Sequence, residues 1–115
     1  MMPAPGDVVI VTFPGSAATK RRPAVVLPTQ EYHQQHPDVI LGILTSQIAK
    51  ATTLSDYVLQ DYESAGLHQP TAFRAYILTF EQRSIFPIGH LSSRDWGNVQ
   101  ICLARALSFS GECPE

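Results

Sequence analysis

Charge is scarce in this chain. Charged residues fill 16% of its 115 positions, against the roughly one quarter usual for soluble domains, and the formal net charge is −2. That balance excludes a protein that coats nucleic acid through bulk electrostatics, although a small site needs only a local positive patch. Cysteine is scarce too: Cys102 and Cys113 are too few and too oddly placed for a disulfide framework. No apolar run reaches membrane-spanning length, and the N-terminus lacks the basic and apolar regions of a secretory signal. No membrane and a cytoplasmic location are therefore expected. Internal repeats and low-complexity segments are missing as well. His33, His36, His68 and His90 have no cysteine or carboxylate cluster at zinc spacing, so neither a metal nor another cofactor is expected.

What is present is an apolar share of 44%, enough at this length for one domain with a core that needs no staples. Residues 1–115 read as that single domain, with 1–5 and 111–115 as flexible tails. Strand character marks residues 8–13, 23–27, 39–44, 56–59 and 71–80. The third of these is too apolar to have a solvent face and reads as a central strand. Pro23 carries no amide proton, which places it at a strand start or an edge. Residues 29–37 read as a turn or a single helical turn. One helix is predicted after Ser92, where Asp95 three places on makes a capping-box signature. Trp96, Val99, Leu103, Ala106 and Leu107 then recur at helical spacing. Many short strands, proline- and glycine-rich turns and a late helix predict a mainly β fold with a C-terminal helix: a small, curved barrel or half-barrel.

Two stretches carry chemistry. In Lys20-Arg21-Arg22-Pro23-Ala24-Val25-Val26-Leu27, three consecutive cations lead into an apolar strand. In Ile43-Leu44-Thr45-Ser46-Gln47, two hydroxyls and an amide end one. Guanidinium groups bind phosphate through paired hydrogen bonds, so side-by-side strands would converge on a site suited to a phosphodiester. Each feature also has a plainer reading. The basic run could solvate a loop, and Thr45 and Ser46 could close a turn. Arg74, in an otherwise apolar strand, fits an ion pair as well as a site. Tyr32, Tyr57, Phe73 and Tyr76 fit either core packing or the stacking of bases.

In order and spacing, these pieces resemble the MazF/PemK family of toxin endoribonucleases from bacterial toxin–antitoxin pairs. The matching stretches begin with Gly6-Asp7-Val8 and Arg22-Pro23-Ala24-Val25-Val26, followed by Ile43-Leu44-Thr45-Ser46-Gln47. Ala65-Gly66-Leu67, Arg74, Ile88-Gly89-His90-Leu91-Ser92 and Asp95-Trp96 complete the set. The resemblance implies an SH3-like barrel, a homodimer, metal-independent cleavage of single-stranded RNA, and a cognate antitoxin. It assigns catalysis to Arg22 and Thr45, with Arg74 near the scissile phosphate. Lys20 and Arg21 are then expected to grip flanking phosphates, and Ser46 and Gln47 to support the site. Two departures stand out: the loop before Arg22 is short, and Tyr76 occupies a place where some members carry aspartate. A gyrase poison of the same fold and a catalytically silent binding barrel are the alternatives.

Overall fold

Strand pairing accounts for most of the chain. The computed structural model describes residues 3–13, 20–27 and 30–107. They form β1 (Asp7–Phe13), β2 (Lys20–Val26), α1 (Gln30–Gln35), β3 (Asp38–Thr45), β4 (Asp56–Val58), β5 (Ala72–Glu81), β6 (Ile85–His90) and α2 (Ser93–Leu107). All six strands join one antiparallel sheet in the order β4-β5-β3-β2-β1-β6. The mainly β architecture with a C-terminal helix is the one expected from sequence. The loop at 14–19, Cys113 and the tail from residue 111 lie outside the described residues.

Two features of the pairing differ from expectation. β2 begins at Lys20 rather than Pro23, so the basic run lies on a strand, opposite Phe13, Thr12 and Val11 of β1. Pro23 is tolerated inside it because the pairing with β3 starts only at Ala24. β6 was not expected, since Pro87 and Gly89 read as breakers. It forms as the outermost strand, pairing only with β1, where a missing amide proton leaves no bond unmade.

Each face of the sheet buries its own apolar cluster. On one side Val8, Val25, Leu44 and Phe73 pack with Val99, Cys102 and Leu103 of α2. On the other Val9, Val11, Ala24, Val26 and Leu41 pack with Ile85. β3 contributes to both, as a strand apolar on both faces must. The helix turns Asp95, Val99, Cys102 and Leu103 inward and packs Trp96 partly, while Leu107 stays exposed. Cys102 therefore joins the inner face, while Ala106 and Leu107, both predicted there, are exposed. Trp96 is partly buried, as befits its bulk.

Between the sheet edges, the 65–66 backbone meets β6 so closely that only glycine fits. A Cβ on Gly66 would clash with the Ile88 carbonyl, and one on Gly89 with the Ala65 carbonyl. Gly66 also has φ +85°, a conformation that L side chains rarely adopt. Two of the stretches noted in the sequence thus meet each other in space.

Candidate active site

Register brings the predicted residues together. The rungs Ala24↔Ile43, Val25↔Gly42 and Val26↔Leu41 join β2 to β3. Arg22 and Thr45 each lie two residues beyond the Ala24↔Ile43 rung, and so on the same face as that pair. Ile43 in turn faces Arg74 of β5, and Arg74 faces Asp56 of β4. Facing residues of antiparallel strands share a face, as do residues two apart on one strand. Arg22, Thr45, Arg74 and Asp56 therefore lie on the face away from α2.

They line a cleft of about 670 Å³ together with Gln47, Lys50 and Tyr76. A second cleft of about 640 Å³ adjoins it, walled by Arg21, Ser46, His68 and Gln69. Arg22, Thr45 and Gln47 border both. Of the catalytic and RNA-binding residues expected from sequence, all but Lys20 line one cleft or the other, while Tyr32, Tyr57 and Phe73 line neither; Lys20 opens β2, and its side chain lies outside the described set. Sequence reasoning missed Lys50 and Asp56 in the first cleft, and His68 and Gln69 in the second, whereas Tyr76 is among the aromatics expected to fit either core packing or the stacking of bases. Lys50 sits three residues past Gln47 in the same connection, which is the one signal that could have found it. Asp56 needed the rung to Arg74.

The side-chain partners separate structural roles from available ones. Arg22 is exposed and, among the described residues, has no carboxylate partner. Arg74 Nε lies 3.6 Å from Asp56 Oδ1, with the arginine side chain 44% exposed and the aspartate 4%. The ion-pair reading of Arg74 holds, and the same residue lines the first cleft. Thr45 Oγ1 accepts the Gln47 amide at 3.1 Å. It closes a turn in this way while its hydroxyl proton has no acceptor among the described residues, leaving it able to donate to a ligand. Among those residues no three His, Cys, Asp or Glu side chains cluster, and the cleft's polar groups are mainly cations and hydroxyls.

Away from the clefts, a polar network ties the start of α2 to residues 57–61. Asp95, fully buried, accepts from the Tyr57 hydroxyl at 2.6 Å, the Gln60 amide at 3.0 Å and the Asp61 amide at 2.8 Å. Ser92 caps α2 by accepting the Asp95 amide at 3.3 Å. The capping signature is thus half realised, because the Asp95 carboxylate serves the 60–61 backbone instead of returning to Ser92. Arg94 donates to Asp61 at 2.6 and 2.7 Å, and the Ser92 hydroxyl donates to it at 2.5 Å. These bonds, the Arg94 pair foremost, hold the Asp61 carboxyl down at about 2. Burial, and then the bond to Asp95, pushes the Tyr57 phenol up to about 12.

The histidines sit elsewhere or at the margin. His90 Nδ1 lies 2.8 Å from Asp7 Oδ1, and the His36 ring stacks on Tyr32 with centroids 4.2 Å apart. Only His68, among the described residues, reaches a cleft.

A six-stranded antiparallel sheet with a C-terminal helix, carrying arginines and a threonine hydroxyl in a cleft on its other face, defines a class of small cleft-bearing β protein. Within that class the chain matches the family described as PemK-like, MazF-like toxin of type II toxin-antitoxin system, over residues 4–107. It belongs to that family. No curated protein is similar enough in sequence to count as a match. Among solved structures, MazF from a MazE–MazF crystal of Deinococcus radiodurans superposes with a TM-score of 0.76 at 20% identity, covering 96% of this chain and 100% of that one. A mycobacterial endoribonuclease in complex with its cognate antitoxin gives 0.77 at 18% identity, covering 96% and 99%. Mycobacterium tuberculosis toxin MazF-mt6 gives 0.70 at 15% identity, covering 90% and 98%. At such identities the likeness speaks for the fold.

Proposed function

We propose that this protein is a toxin endoribonuclease that cleaves single-stranded RNA at a short sequence, without a metal ion. The observation that carries this reading is that Arg22 and Thr45 lie on one face of the sheet and border both clefts. RNA supplies its own nucleophile: the ribose 2′-hydroxyl attacks the adjacent phosphorus, the bond to the 5′-oxygen breaks, and a 2′,3′-cyclic phosphate remains. The protein must align these atoms and neutralise charge growing on the phosphoryl oxygens. Arg22 does the latter, with a planar fork matched to phosphate and a charge that never titrates away. Thr45 orients the phosphate by donating its free hydroxyl proton. Arg74 adds a second cation, kept in place by Asp56. Arg21, Lys20, Ser46 and Gln47 hold the strand on either side, where single-stranded RNA exposes bases that can be read.

A homodimer and a cognate antitoxin complete the proposal. The antitoxin is supported by family membership and by the complexes formed by the Deinococcus and mycobacterial relatives. No helix among the described residues is long and apolar enough to cross a membrane, in keeping with action on RNA in the cytoplasm.

The test is to incubate purified protein with mixed-sequence RNA in EDTA and map the ends. Cuts at one short sequence, ending in cyclic phosphate, are the expected result, and deoxyribose just 5′ of the scissile bond should block them. Intact RNA together with inhibited DNA supercoiling would replace this reading by gyrase poisoning; silence in both assays would leave a binding barrel.

A further inference from the structure

The first cleft contains an aromatic ring that the fold does not use. Tyr76 is 63% exposed although it lies within the longest strand. The register explains why. Between Gly42↔Ile77 and Ile43↔Arg74 the β3–β5 pairing skips two residues, leaving Ala75 and Tyr76 without rung partners. On the other side, the β4 pairing ends at Asp56↔Arg74. Tyr76 therefore stands where β5 has no paired neighbour on either flank, at a bulge of the kind that re-aims a side chain. Two inserted residues preserve the strand's alternation, so Tyr76 shares the cleft face with Arg74.

Resting on the nuclease reading above, we propose that Tyr76 is the floor of a nucleobase-binding subsite, stacking an unpaired base beside the scissile phosphate. The other aromatics considered for that role are committed elsewhere. Phe73 is fully buried, the Tyr57 hydroxyl serves Asp95, and the Tyr32 ring lies against His36. Tyr76 alone of these four offers its ring to a cleft. Its surroundings suit a nucleotide: Arg22, Arg74 and Lys50 outnumber Asp56 in the same cleft, so a polyanion entering it lays its phosphates beside the ring. Arg74 and Tyr76 are about 7 Å apart along the strand, comparable with the separation of a phosphate from its own base. Every base presents a π-face, so this subsite contributes affinity with little sequence preference.

The experiment uses the full-length protein and a single-stranded oligoribonucleotide containing the mapped cut sequence, made uncleavable by one deoxyribose at the nucleophile position. Binding is compared for the parent, Tyr76→Phe and Tyr76→Ala, with abasic replacements on each side of the scissile bond. The Ala variant should bind roughly 5- to 150-fold more weakly, the scale of losing one stacked base, while the Phe variant holds the parent affinity. One abasic position should weaken the parent by a similar factor and leave the Ala variant unaffected. Parent-like affinity of the Ala variant overturns the proposal. So does a Phe variant as weak as the Ala variant, which would point to the hydroxyl, and so do losses that simply multiply at every abasic position. Cleavage of unmodified RNA by the parent is read alongside. Uncut RNA sinks the nuclease reading and the subsite with it, whereas cut RNA with an unaffected Ala variant sinks the subsite alone.

Discussion

Arg22 and Arg94 are the same residue put to opposite uses. Arg94 donates two short bonds to Asp61, which also receives the Ser92 hydroxyl, in a network that continues to buried Asp95. Arg22 is exposed at a strand end, with no carboxylate beside it among the described residues. Arg74 falls between them, holding Asp56 at 3.6 Å while still facing the cleft. A cation whose donors are satisfied internally contributes structure. A cation held without an acceptor next to a hydroxyl, at the mouth of two clefts, is ready for an anion that arrives from outside. Composition does not distinguish the two cases, because the distinction lies in what stands opposite each guanidinium.

The comparison breaks most sharply at Arg22. Arg22→Ala should lower the cleavage rate by roughly 10²- to 10³-fold, the scale of losing one preorganised donor, with stability within about 0.5 kcal/mol of the parent, as for other exposed positions. Rate assays paired with thermal melts check both halves; a fast or an unstable variant would erase the contrast with Arg94. Asp95→Ala should act on the other half. It leaves the Tyr57 hydroxyl and the Gln60 and Asp61 amides without their acceptor, which should cost roughly 3 kcal/mol and lower the Tm by on the order of 15 °C. A melt within a few degrees of the parent would show that water replaces the carboxylate.

The smallest effect is a pH dependence. Asp61 has its carboxyl lowered from 3.8 to about 2 in the folded protein by Arg94 and Ser92. The unfolded chain therefore takes up this proton first as pH falls, and the stabilisation, complete above about pH 4, is lost as the pH drops through about 2. Denaturant titrations between those limits should show a shallower loss for Asp61→Asn than for the parent. Equal slopes would mean that the Arg94 pair is too well solvated to count.

How far the sequence could be read depended on where the information lay. The β-branched run at 8–13 identified a strand and the unbroken apolar run at 39–44 a central one, and the helix announced itself through Ser92 and its apolar spacing. β6 escaped notice because Pro87 and Gly89 break a strand everywhere except at an edge, and edge position is a property of the assembled sheet. Asp95 looked like half of a local capping pair, yet its partners lie 34 to 38 residues away. In the candidate site, Arg22, Thr45 and Arg74 were legible because each closes or interrupts an apolar strand with a polar group. Asp56 was not, since only its rung to Arg74 makes it a neighbour, and Tyr76 could not be told from a core aromatic before the β3–β5 register was known.

Side-chain order along the chain was enough to determine the strands, the late helix and the family, because apolar periodicity and a short motif are local properties. Only the tertiary structure decided that Arg22 and Thr45 border the same two clefts, that Arg94 is closed by Asp61, and that a two-residue slip in pairing leaves Tyr76 facing the cleft. Register and bulges arise from contacts between distant segments, and a strand shifted by one residue would present the opposite set of side chains.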